Sequence, residues 1–67
     1  MTKLEAKRLI SENMRLCDSL CTTLAATLGE EELRMVDEAE GTEDEKVWIE
    51  RAICHAINRL LLLRKMH

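Results

Sequence analysis

Three cysteines, two histidines and thirteen carboxylates are the side chains of this 67-residue chain that could ligate a metal or attack a substrate. Cys17 and Cys21 stand four residues apart, which places both thiols on one face of a helix, and His55 or His67 would have to complete a ligand set. Structural zinc takes tightly spaced pairs from loops or knuckles, so Cys17, Cys21 and Cys54 are expected as reduced thiols packed as small hydrophobes. Their odd number also argues against a disulfide framework of the secreted type. Cys54 and His55 are adjacent, and neighbours on a helix point about 100° apart, which rules them out as a catalytic pair. The chain has only two glycines and no glycine-rich phosphate cradle. Its carboxylates cluster in a stretch expected to face water, where no low-dielectric pocket would shift their pKa values. A non-enzyme with no cofactor and no metal is the expectation.

Positioning falls to helices. Nearly half the residues are apolar, Trp48 is the only aromatic and proline is absent, which is the composition of a helical bundle. Thr2 with Glu5 reads as a capping box, so a first helix is expected over about 3–28. Along it Ile10, Met14, Cys17, Cys21, Leu24 and Leu28 alternate spacings of four and three, with Leu9, Leu16 and Leu20 beside that seam. Gly29 suits a left-handed cap.

An acidic connection is expected over about 29–42. Nine of the thirteen acids lie between Glu30 and Glu45, with Arg34 the only base before Lys46. Leu33 and Val36 give this stretch a small apolar face, and a short helix over about 31–39 is expected within it, favoured by acids in its first turn. The charge run serves as a solvated connection, with docking of a basic partner as the alternative.

Gly41 breaks the chain, and Thr42 with Glu45 forms a second capping-box pattern ahead of a helix over about 43–66. That helix carries one seam at Ile49, Ile53, Ala56, Leu60 and Leu63 and another at Val47, Cys54, Ile57 and Leu61. Two adjacent seams are wider than a two-stranded coiled coil needs. The fold class is therefore all-α, as one domain: an antiparallel hairpin of two long helices whose first seams face each other. Leu9, Leu16, Leu20, Ile57 and Leu61 would then stay partly uncovered. So small a core is marginal alone, and apolar surface left over at this scale marks a protein interface. Trp48 shares a stripe with Ala52, His55, Arg59 and Leu62, either closing the open end of the hairpin or anchoring a partner.

Met1-Thr2-x-Leu4-Glu5, the polar connection, Val47-Trp48 and the run Glu50-x-Ala52-Ile53-x-x-Ala56-x-Asn58 resemble the small E-type co-chaperones of bacterial type III secretion. The resemblance implies a cytoplasmic hairpin that pairs with a helical-repeat chaperone, the two together sheathing the needle subunit before export. The opening Met-Thr-Lys also resembles that of the plasmid RNA-binding Rop hairpin. In that alternative the chain is a homodimeric four-helix bundle presenting Lys3, Lys7, Arg8 and Arg15 to RNA. A net charge of −3 and the acidic centre oppose phosphate binding. No apolar run is long enough for a membrane span, and the opening residues lack the apolar core of a signal peptide.

Overall fold

A computed structural model describes residues 1–65 of the chain. Four helices follow one another: α1 (Lys3–Met14), α2 (Asp18–Thr27), α3 (Glu30–Ala39) and α4 (Glu45–Lys65). The all-helical class is as expected. The single helix expected over 3–28 is instead two, because Arg15 takes a left-handed conformation (φ 48°, ψ 43°) and the chain folds back through Leu16 and Cys17. A left-handed non-glycine residue costs about 1–2 kcal/mol. The fold-back offsets that by laying α2 on α1, so that Cys21, Ala25 and Leu28 join Ala6, Leu9 and Ile10 in one core. Lys7 Nζ reaches Asp18 Oδ1 at 2.9 Å across this turn, and Lys3 Nζ donates to the Ala26 carbonyl at its far end.

Local signals place the other boundaries. Thr2 and Glu5 form the expected capping box, the Glu5 amide donating to Thr2 Oγ1 at 3.2 Å and the Thr2 amide to Glu5 Oε1 at 3.3 Å. The short acidic helix is present as α3. Gly41 breaks the chain with φ 82°, a conformation that favours glycine. The Thr42 box does not form. Thr42 Oγ1 donates back to the Ala39 carbonyl, and Glu45 Oε2 accepts from the Gly41 amide instead. Glu45 Oε1 also accepts from Asn13 Nδ2 at 2.7 Å, which ties the end of α1 to the start of α4. The Gly41 amide, followed by the Asn13 amide, holds the Glu45 carboxyl below the usual carboxylate range.

The helices therefore form two hairpins, α1 with α2 and α3 with α4, sharing a core of Ala6, Leu9, Ile10, Cys21, Ala25, Leu28, Val36, Ile49, Ala52, Ile53 and Ala56. An Arg8–Glu40 bridge of 3.1 Å crosses between them at the surface. At 21 residues α4 is twice the length of α3, so it extends about 15 Å further along its axis than α3 can cover. Among the described residues no helix is long and apolar enough to cross a membrane.

Candidate protein interface and the ion network beneath it

The free length of α4 begins where α2 ends and α3 starts. At that junction Glu32, in the first turn of α3, is 1% exposed. Its Oε1 accepts from the Gly29 amide at 2.8 Å and from Arg59 Nη2 at 2.7 Å, while Oε2 lies 2.9 Å from His55 Nδ1. Arg59 Nη2 donates also to the Thr27 carbonyl at 3.0 Å. One guanidinium thus satisfies the last turn of α2 and the first turn of α3 while belonging to α4. Every acceptor position of Glu32 that matters for burial is occupied, and among the described residues no buried side-chain nitrogen or oxygen lacks a partner.

Burial alone would push the Glu32 carboxyl up. The Gly29 amide, the Arg59 guanidinium and the His55 ring outweigh it, and the carboxyl sits below its ordinary value. The expectation that every acid of the 30–45 stretch faces water is therefore corrected at Glu32. Gly29 is corrected too: it is not a left-handed cap but the extended residue ahead of α3, with φ −90°. A side chain there would place its Cβ 3.2 Å from Arg59 Nη2 and 3.3 Å from Glu32 Oε1, crowding the network.

A depressed folded pKa adds stability that is present above the unfolded value, about 4.5, and is lost as pH falls through the folded one. Glu32→Gln is accordingly expected to flatten the acid limb of the stability–pH curve below about pH 4.5. Urea midpoints at several pH values would measure this. An unchanged slope would show that Glu32 has the same proton affinity folded and unfolded.

From Ile57 onward the apolar side chains of α4 are exposed. The seam that is buried at Ile49, Ile53 and Ala56 continues as exposed Leu60 and Leu63, and Ile57, Leu60, Leu61, Leu62 and Leu63 are each between 40% and 63% exposed. Leucine is among the best helix formers, so this segment stays helical without tertiary support. Arg64 and Lys65 close it with charge that suits a helix C-terminal end.

The six residues expected to bind a partner divide. Ile57 and Leu61 lie on this free segment. Leu20 is exposed two turns before Thr27 on α2, away from the segment. Trp48 is exposed to the same 40% as Ile57 and lies beside Met35, Ala39, Thr42 and Asp44 over the α3–α4 turn, with the Arg51 guanidinium 4.9 Å above its ring. Leu9 is not a surface residue: at 3% exposed it belongs to the core, because α2 folds over it. Leu16 is partly buried at the α1–α2 turn and packs on that core. Leu62, expected only on the Trp48 stripe, completes the exposed run with Leu60 and Leu63, and the four consecutive leucines are its signal in the sequence.

The thiols also divide. Cys21 is buried as a small hydrophobe, whereas Cys17 and Cys54 are exposed, contrary to expectation. Cys17 Sγ lies 3.5 Å from the Ser19 hydroxyl, which, followed by the Leu20 amide, draws the thiol pKa down. No cysteine joins the one three-donor cluster found among the described residues, Glu31, Glu32 and His55, whose ligand atoms lie within 4.8 Å of one another. Arg59 already neutralises Glu32 there, and its charge disfavours a second cation. The arrangement is an ion network on which an apolar helix end is mounted. No family model, curated protein or solved structure matches this chain.

Proposed function

We propose that the chain is a protein-binding module whose docking element is the free end of α4. One observation carries this: five consecutive-turn apolar side chains, Ile57 and Leu60 to Leu63, stand 40–63% exposed on a helix held at its base by the Glu32–Arg59 network. A contiguous exposed patch of this kind marks an interface, since scattered single leucines are common on surfaces but a run filling more than one turn is not. The segment suits helix-in-groove recognition, in which anchors at i, i+3, i+4 and i+7 enter an apolar groove. Helical-repeat proteins present such concave grooves.

The resemblance to the E-type co-chaperones supplies the partner class. In that role the chain acts in the cytosol with a helical-repeat chaperone, and the pair keeps the needle subunit monomeric by covering its self-assembly surface, as mass action requires. The acidic stretch keeps so apolar a protein soluble.

Tagged co-purification from the native cytosol, under reducing conditions and with nuclease, tests both parts. The expected outcome is recovery of a helical-repeat protein together with a small secreted helical subunit. Leu61→Asp is expected to lose that recovery by at least about tenfold, because a charge placed among desolvated anchors is unpaired, while far-ultraviolet circular dichroism stays unchanged. Recovery of RNA alone, abolished by nuclease, would transfer the assignment to the Rop-like alternative.

A further inference from the structure

The free end of α4 has opposite charges at its two ends. At its base, exposed Glu30 and Glu31 open α3, with Glu31 Oε1 3.9 Å from His55 Nε2. At its tip stand exposed Arg64 and Lys65. The two groups are separated by about nine residues, or about 13 Å along the axis. Between them lies the apolar run, one flank of which forms a shallow hollow lined by His55, Asn58, Arg59, Leu62 and Leu63.

We infer that this end of α4 binds a second copy of the chain, the two segments pairing antiparallel about a two-fold axis near Leu60 and Leu61. The inference rests on the proposal that the segment is a docking face, and it names an occupant for that face when no other partner is present. A two-fold axis there sets Arg64 of one copy opposite Ile57 of the other, and Lys65 opposite Ala56. Each basic side chain then reaches one turn further to the Glu30 and Glu31 carboxylates at the opposite base. The same axis sets Leu60 of one copy opposite Leu61 of the other, with Leu63 opposite Asn58, and so extends the line of Ile49, Ile53 and Ala56 toward the second copy.

An isologous contact demands that one patch be complementary to itself. Acid at one end, base at the other and leucine between them meet that demand only in the antiparallel sense. A parallel pairing would set tip against tip and base against base, where like charges repel. The face covers fewer than three helical turns, below the roughly 800 Å² per partner of a standard interface, so the pair is weak and exchangeable. A stronger groove-bearing partner therefore displaces the second copy, and the apolar run is covered in either state.

Sedimentation equilibrium of the purified full chain, from micromolar to millimolar concentration, tests the inference with three variants. A monomer–dimer equilibrium is expected, weakened at least about tenfold by Leu61→Asp and weakened by added salt. Arg64→Glu with Lys65→Glu, and separately Glu30→Lys with Glu31→Lys, are each expected to abolish self-association. An equimolar mixture of these two charge variants is expected to restore it, because both ends of the mixed pair are again complementary. A wild-type chain that stays monomeric to millimolar concentration would overturn the inference. So would a dimer indifferent to Leu61→Asp, or a mixture no better than its parents. Should the lysine substitutions at α3 impair folding, the Leu61 and Arg64/Lys65 variants decide the matter alone, since they lie beyond the core. A monomer that still captures its helical-repeat partner overturns the pairing and leaves the proposed function standing; a dimer that captures none does the reverse.

Discussion

Glu32→Ala is expected to lower the unfolding free energy by about 2–4 kcal/mol. The substitution strands three donors at once: the Gly29 amide, the Arg59 guanidinium and, through its Nδ1, the His55 ring. Removing one member of a buried charged pair typically costs about 3–5 kcal/mol. Here the figure is discounted because Arg59 and His55 are themselves more than a third exposed and regain water. A chain of this size has roughly 3–10 kcal/mol to lose, so the variant is expected to forfeit a large share of its stability. Urea unfolding followed by circular dichroism would read the loss, with Glu31→Ala as the control, expected within about 0.5 kcal/mol because that side chain is exposed. Equal midpoints for the two variants would mean that the network only balances its own desolvation. The consequence for function follows from Arg59, whose bonds to Glu32 and Thr27 fix the base from which the free end of α4 projects.

The second large effect separates core from interface along a single seam. Ile49 and Leu60 both belong to the 49, 53, 56, 60, 63 series, yet Ile49 is fully buried and Leu60 is exposed. Ile49→Ala is expected to cost about 2–4 kcal/mol, from lost transfer free energy and the cavity left between α4 and the core. Leu60→Ala is expected to change stability by less than about 0.5 kcal/mol while weakening partner capture. Thermal unfolding of the two variants beside a capture assay would show this crossing of effects. A destabilisation by Leu60→Ala matching that of Ile49→Ala would place Leu60 in the core and remove the apolar run from the surface.

Periodicity and caps made much of the fold legible. Thr2 and Glu5 are three residues apart and bond each other's backbone and side chain, so their box needs no tertiary context. The acids at the start of α3 and the glycine at 41 act within a turn of where they stand, and both elements appear where expected. The Thr42 pattern failed for an equally local reason. Its hydroxyl had two partners within reach, and the Ala39 carbonyl took it, leaving Glu45 to cap Gly41.

The break at Arg15 could not be read in the same way. A continuous helix over 3–28 satisfies every local preference and avoids a left-handed arginine. It loses only because a straight helix would leave Leu9 without the cover that α2 supplies once it folds back. Leu9 therefore moved from candidate interface to core, and the interface moved to the leucines of α4 that no other helix is long enough to reach.

The amino-acid sequence by itself determined that the chain is helical, where α3 and α4 lie, and that apolar surface would exceed the available cover, because these follow from spacing and capping among near neighbours. Only the tertiary structure decided which residues supply the excess and that Glu32 is buried, because Glu32 meets His55 and Arg59 across 23 and 27 residues of chain. A carboxylate in an acidic run is hydrated by default, and it is drawn inside only when a guanidinium and an imidazole from α4 and the free amide ahead of α3 converge on it at once.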